Sequence, residues 1–413
     1  MKYLPLKTLK YNLDGDVQQY EDEYKKRLNS YGTYSTNLYP FLMKRGSFET
    51  SKYQIFIMNL PDITIETERI INKSRYIQKL SDELPQIAGR QFFFETLSNE
   101  IISSNDIEGV KSTRREVNRA IRAVNENSKA VRMSSTVKMY VDVFDDNYLS
   151  IKKLSDIKDI YKQLLDGEIE EDDLLDGEFF RKDQVYIRGN KIDQVVHVAP
   201  VGEDELKRRM TEWIRFINDN DVPFMIKALI GHYFFENTHP FYDGNGRTGR
   251  YILSMYLSRK LDKYTGISFS QAVHATKSKY YKAFEKTGDY ENRAEGTFFV
   301  MDLLDLISQS QNIIIEALES RIDSFKKVTR KINSQYPRTM SENYVLFLLA
   351  QSRMFNDSIE SGLLDKDVKK LAEHSEFSVR SVSEAIKKLE EDGFIKKVRG
   401  KPIQHVISDD YID

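Results

Sequence analysis

The stretch His239-Pro240-Phe241-Tyr242-Asp243-Gly244-Asn245-Gly246-Arg247-Thr248-Gly249-Arg250 decides the reading of this chain. It holds one imidazole, one carboxylate, a Gly-Asn-Gly turn and two guanidiniums. The apolar, helix-like run Val222 to Phe235 precedes it, and Tyr251 to Leu257 follows without a break, so the stretch is a loop that opens a helix. Gly244 and Gly246 permit backbone conformations closed to residues with a Cβ. Successive N–H groups can then converge into a concave anion site, backed by the positive end of the helix dipole. Arg247 and Arg250 share one face of the first helical turn, and two guanidiniums beside such a turn suit a polyphosphate. Asp243 is a hard oxygen donor able to hold Mg2+ against that polyphosphate. His239 is of the type that titrates near neutrality and takes a proton from an attacking hydroxyl. A lone Gly-Asn-Gly is ordinarily only a turn, and a lone His ordinarily structural. Their company within one short stretch points instead to phosphoryl or nucleotidyl transfer from a nucleotide.

The same residues carry a resemblance. The stretch resembles the Fic family signature, HPFx[DE]GNGRxxR, at every fixed position. The resemblance implies a mainly α fold: a Fic-type helical core with a small β-hairpin flap. It also implies an enzyme, since most characterised members transfer AMP from ATP to a hydroxyl side chain of a target protein. In that reading His239 is the general base and Asp243 the Mg2+ ligand. Gly244, Asn245 and Gly246 form the anion hole for the α- and β-phosphates. Arg247 grips the β-phosphate and Arg250 the γ-phosphate. Phe241 is an anchor for the loop in the core.

Upstream, Ile87 to Ser103 has a helical pattern, with Phe93, Leu97 and Ile101 making an apolar stripe. It runs into Ser104-Asn105-Asp106-Ile107-Glu108-Gly109. As plain structure this is a helix end capped by Gly109. It also looks like the inhibitory motif [ST]xxxE[GN] of Fic proteins, with Ser104, Glu108 and Gly109 in the fixed places. The implied partner of Glu108 is Arg250, in a bidentate carboxylate–guanidinium pair that removes the γ-phosphate clamp. Thr113 and Glu116 form a capping box for the next helix, which carries Val117, Ile121 and Val124. The acidic run Glu168 to Asp173 reads as a solvated loop.

Residues 177–200 change period. Gly177 to Arg188, a turn at Gly189-Asn190 and Val195 to Val198 read as a hairpin. In Fic proteins a hairpin here, the flap, docks the target segment by strand addition, which makes Val185, Tyr186 and Ile187 the docking strand. Glu203 to Asn218 is a helix with Trp213 in the core. Ser278 to Phe284 fits ordinary helix packing. The family often carries a Tyr-Tyr pair at this distance lining the adenine pocket, which points to Tyr280 and Tyr281. The chain departs from the family at a customary Asn: Gly288 stands near that position and Asn292 is displaced.

Residues 297–332 read as one or two long helices, and Ile332 to Arg338 break the pattern. Residues 341–413 look like a winged helix-turn-helix, with helices over Tyr344–Leu349, Val368–Ala372 and Ser378–Leu389 and a wing from Phe394–Lys401 and Ile403–Ile407. Acidic residues outnumber basic ones there, although Lys396, Lys397, Arg399 and Lys401 give it a basic tip. DNA and protein contacts are equally compatible with it. The expected organisation is 1–110, an N-terminal helical region ending in the inhibitory helix, then 111–335, the catalytic core, then 341–413.

Composition sets the remaining bounds. The 413 residues are 40% hydrophobic and 31% charged, with a net charge of -2, so no global basic excess points to nucleic acid. The absence of cysteine excludes disulfides, thiolate metal sites and a Cys nucleophile, and fits a reducing cytoplasm. The first thirty residues lack the apolar core of a signal peptide, and no membrane partner is expected. The leading expectation is a cytoplasmic, autoinhibited protein adenylyltransferase using ATP and Mg2+, acting on a target protein or on itself, with a homodimer compatible. Removal of AMP, with the inhibitory Glu aiding a water, lies within the same family. The alternative is a DNA-binding regulator that uses its core as a nucleotide sensor.

Overall fold

The run before the quoted loop forms the helix Phe224–Thr238, apolar on every side rather than along one stripe. Such a helix must be enclosed by protein. Met225, Leu229, Ile230, Tyr233 and Phe234 are accordingly buried. Helices Glu203–Ile217 and Asn245–Lys260 pack against it. Trp213 on the first donates its Nε1–H to the Gly231 carbonyl at 2.7 Å, satisfying the polar atom of a ring that is otherwise core.

The computed structural model describes residues 3–13, 16–44, 47–49, 52–188, 195–357 and 362–412. It is mainly helical, with four small antiparallel sheets among those residues. The chain forms two compact units, Met1–Arg75 with Asn99–Gln311, and Tyr76–Ser98 with Asn312–Asp413. The expected breaks at 110 and near 335 are not these. Helices Pro61–Asp82, Gln86–Ile107 and Thr297–Gln335 run unbroken through the residues where the units divide. The division therefore leaves no Pro-rich or polar signature in the sequence.

In the first unit, helix Val17–Leu28 begins at Asp16, whose side chain accepts from the Gln19 N–H. The Tyr- and Phe-rich segment after it forms two strand pairs, Thr33–Ser35 with Phe56–Met58 and Leu42–Lys44 with Ser47–Glu49. Helix Arg114–Asn125 carries the capping box, with the Thr113 N–H donating to Glu116 at 2.8 Å and the Glu116 N–H donating to Thr113 at 3.3 Å. Strands Tyr186–Arg188 and Val195–Val198 pair antiparallel, and the Ala199 N–H extends the ladder to the Val185 carbonyl at 3.1 Å. The Gly189-Asn190 turn lies outside the described residues.

In the second unit, helix Ser341–Met354, strand Leu363–Leu364 and helices Asp365–Ala372 and Val379–Glu391 are followed by strands Ile395–Gly400 and Ile403–Ile407. The last strand lies between the other two in one antiparallel sheet. Val382, Ala385, Ile386 and Leu389 are buried, whereas Val379 at the start of their helix is 41% exposed. Arg380 pairs with Glu384, Lys387 with Glu391 and Lys396 with Asp410, so much of the exposed basic charge faces a carboxylate. Helix Thr297–Gln335 is long and apolar enough, by length and composition, to cross a membrane. Phe299, Leu303, Leu304 and Ile307 on it are fully buried inside the protein.

Candidate active site

The loop is shaped before it is charged. Helix Phe224–Thr238 ends at His239, whose backbone is left-handed, φ +50°, while its N–H still bonds the Phe235 carbonyl at 2.9 Å. A non-glycine residue is costly in that region and marks a backbone held there by its surroundings. Phe241 plugs into the core, stacked on Tyr161 with centroids 3.8 Å apart. The Asn245 side chain folds back on Phe241, accepting its N–H at 2.9 Å and donating to its carbonyl at 2.7 Å. Asn245 thus spends both polar atoms closing the loop, and offers an anion only its backbone N–H.

Gly244 has φ +78°, and a Cβ there would stand 2.2 Å from Leu165 Cδ1. Gly244 is the N-cap of helix Asn245–Lys260, so the N–H groups of Asn245, Gly246 and Arg247 have no partner within that helix. These donors and the positive end of the dipole form an anion site. A carboxylate already lies against it. A Cβ on Gly246 would meet Glu108 Oε1 at 2.1 Å, so only glycine admits the carboxylate there.

Glu108 follows helix Gln86–Ile107, and Gly109 at φ +75° turns the chain away. Ser104, Glu108 and Arg250 belong to the same unit and meet directly. Arg250 Nη1 donates to Glu108 Oε1 at 2.7 Å, Nε to Ser104 Oγ at 3.0 Å and Nη2 to the Ser104 carbonyl at 2.9 Å. The expected bidentate carboxylate pair is therefore corrected: one arm of the guanidinium takes Glu108 and the rest takes Ser104. Burial works against the Glu108 carboxylate, but Arg250 outweighs it and holds the carboxyl below its ordinary value.

His239 Nδ1 faces the Glu236 carbonyl at 3.2 Å. A carbonyl only accepts, so Nδ1 carries the proton and Nε2 is left as the base. Burial pushes the imidazole down to about 4, against the opposing pull of that hydrogen bond and of Glu108. Arg247 is engaged by carboxylates, Asp243 Oδ2 at 2.7 Å and Glu168 Oε2 at 3.4 Å. Glu168, expected in a solvated loop, has a side chain only 5% exposed and a carboxyl raised by burial. Asp243 is 42% exposed and stands beside the anion site. One accessible carboxylate fits Mg2+, which is usually bound through one or two carboxylates plus substrate phosphates. Among the described residues no group of three His, Asp or Glu forms a cage of its own.

The Tyr pair divides. Tyr280 is buried among His232, Phe269 and Phe284, with its hydroxyl 2.7 Å from His232 Nε2, so it does not line an open face. Tyr281 is 41% exposed, and its hydroxyl donates to the Ile107 carbonyl at 3.3 Å, next to Glu108. Asn292 is structural, accepting the Lys7 N–H and donating to the Lys286 carbonyl. In the hairpin Tyr186 is 55% exposed, while His197 Nε2 lies 2.7 Å from the Asn237 carbonyl and anchors the second strand. Arg181 and Tyr242 also hold this region, and neither carries a signal in the sequence.

Comparison with known proteins bears on this geometry. A model of the Fic/DOC family matches residues 148–257, which contain the whole loop and the hairpin. Those residues are a Fic domain. The protein adenylyltransferase Fic of Drosophila grimshawi is 30% identical over 140 residues, 33% of this chain and 26% of that protein. The protein of the same name from Aedes aegypti is 29% identical over 142 residues, again 33% and 26%. The chain thus spans about a quarter of the length of these curated relatives. Among solved structures, a Fic family protein from Desulfovibrio desulfuricans is 17% identical, with a TM-score of 0.49 over 85% of this chain and 97% of the other. Residues 134–508 of Fic-1 from C. elegans give 19% identity and a TM-score of 0.42, over 62% and 75%. The Ser104–Gly109 segment and Tyr280-Tyr281 lie outside the residues matched by the Fic/DOC model.

Proposed function

We propose that the chain is a protein adenylyltransferase, transferring AMP from ATP to a Ser, Thr or Tyr hydroxyl of a target protein, and that Glu108 restrains it. The observation that carries this reading is the convergence of a neutral His239, a glycine-built anion site and Arg250 on one loop of a Fic domain. His239 Nε2 takes the proton of the target hydroxyl. The hydroxyl oxygen bonds to the α-phosphorus, the bond from that phosphorus to the bridging oxygen breaks, and diphosphate leaves with the electron pair. The N–H groups at the head of helix Asn245–Lys260 hold the phosphate oxygens, and preformed donors of this kind supply most of the rate in such sites. Mg2+, held by Asp243, would neutralise charge on the diphosphate.

Restraint follows from occupancy. The Glu108 carboxylate lies against the anion site and on Arg250, so a triphosphate must displace it from both. The hairpin strand through Tyr186 and Ile187 supports docking of an extended target segment by backbone pairing. Transfer from labelled ATP tests the assignment of the base. His239→Ala should lose about 10²–10⁴-fold in rate with an unchanged thermal melt, and full activity in that variant would remove His239 from the reaction.

A further inference from the structure

Arg181 is fully buried and donates only to backbone carbonyls. Its Nε reaches the His239 carbonyl at 2.8 Å, Nη2 the carbonyls of Pro200 at 2.7 Å and Thr238 at 3.5 Å, and Nη1 that of Asp183 at 2.5 Å. Its own N–H bonds the Pro240 carbonyl at 3.1 Å. Among the described residues no carboxylate lies within ion-pair distance. Burying a cation without a counter-charge is costly, and the planar five-donor fork is what no other side chain supplies. The acceptors fall into two groups. Asp183 and Pro200 are the feet of the hairpin, just outside strands Tyr186–Arg188 and Val195–Val198. Thr238, His239 and Pro240 are the turn that holds the base in its left-handed backbone.

We propose that Arg181 is a positioning residue whose guanidinium ties the feet of the hairpin to the His239 carbonyl, so that a target docked on the hairpin and the aim of the base are set by one group. The proposal rests on the transferase reading given above. His239 has its N–H fixed to Phe235 and its carbonyl fixed to Arg181. Release of the second contact frees the residue to leave φ +50° and swing the ring. Tyr242 is a second strap, its hydroxyl accepting the N–H groups of Lys182 at 3.3 Å and Asp183 at 3.0 Å. It joins the same two parts from the exposed side.

The test compares Arg181→Lys, which keeps the charge but loses the fork, with Tyr242→Phe, each in the full chain. In the Glu108→Gly background, Arg181→Lys should lower kcat by about 10²-fold, the scale of a misplacement near 1 Å. KM for ATP should stay within about twofold, because the anion site is untouched. Tyr242→Phe should act in the same direction more weakly, and it stands in if Arg181→Lys does not fold. Selective 13C labelling of histidine gives a readout independent of transfer. The His239 ring signal, assigned by its loss in His239→Ala, should shift in both variants while the His232 signal stays. If Glu108→Gly itself transfers no AMP, the transferase reading fails and the ring signal alone decides the positioning role. Unmoved His239 signals in the folded variants, or kcat and KM for ATP changing together, overturn it.

Discussion

The imidazole of His239 is neutral at neutral pH because burial makes the imidazolium costly. A base of that kind needs no deprotonation step, so activity should not fall as pH drops through 6.5, the ordinary range for histidine. The acid limb of kcat/KM is expected near pH 4, where the buried imidazole titrates. Since the Glu108 charge favours the imidazolium, removing it should move that limb lower still. A limb near or above 6.5 in Glu108→Gly contradicts the assignment. Glu236, whose carbonyl orients the ring, carries a carboxyl that burial pushes up to about 8. Between its ordinary value near 4.5 and about 8, the folded protein keeps a proton that the unfolded chain releases. This contribution to stability is complete below 4.5 and is lost as pH rises through 8. Glu236→Gln should therefore flatten the fall of Tm between pH 5 and pH 9. An unchanged slope would mean that the carboxyl ionises without cost.

At the scale of elements, the loop stands on few contacts, and Asn245 makes two of the most local. Asn245→Ala leaves a buried N–H and a buried carbonyl of Phe241 without partners, at ~1–3 kcal/mol each. Urea unfolding should show a loss of about 2–6 kcal/mol. A loss below about 0.5 kcal/mol, within the noise of ordinary surface changes, would mean that the Phe241–Tyr161 stack holds the loop alone. Much of this element was legible from sequence, because its determinants are local. Gly244 announces the left-handed N-cap, the apolar runs announce two helices, and Thr113 with Glu116 announces a capping box. What stayed hidden is tertiary. Glu168 reads as solvated because its neighbours are acidic, and its partner Arg247 lies 79 positions away. Spacing alone cannot distinguish a tyrosine lining a pocket from one enclosed by His232 and Phe284, which is the fate of Tyr280. Arg181 carries no motif in the sequence, because its partners are backbone carbonyls, which have no signature in side-chain sequence.

At the scale of the whole molecule, Glu108 and a bound triphosphate are proposed to compete for one site. Glu108 and Arg250 are 142 positions apart and meet at the head of one helix, inside the unit that contains the loop. A charge-assisted contact there matters less for net stability than for what it occupies. Shortening residue 108 should release the site without unfolding the protein, since Gly at that position leaves the Ser104 contacts to Arg250 in place. Arg250→Ala should not imitate it if Arg250 is, as proposed, the phosphate clamp as well as the partner of Glu108, and the double variant should be as inactive as Arg250→Ala alone. The most direct measurement is intact-mass analysis of the wild-type and Glu108→Gly proteins after incubation with ATP and Mg2+. A gain of one AMP per modified site is expected in Glu108→Gly, on the protein itself or on an added target, and little or none in the wild type. Equal masses for the two proteins across a range of ATP concentrations would contradict it, and would leave Ser104–Gly109 as a capped helix end.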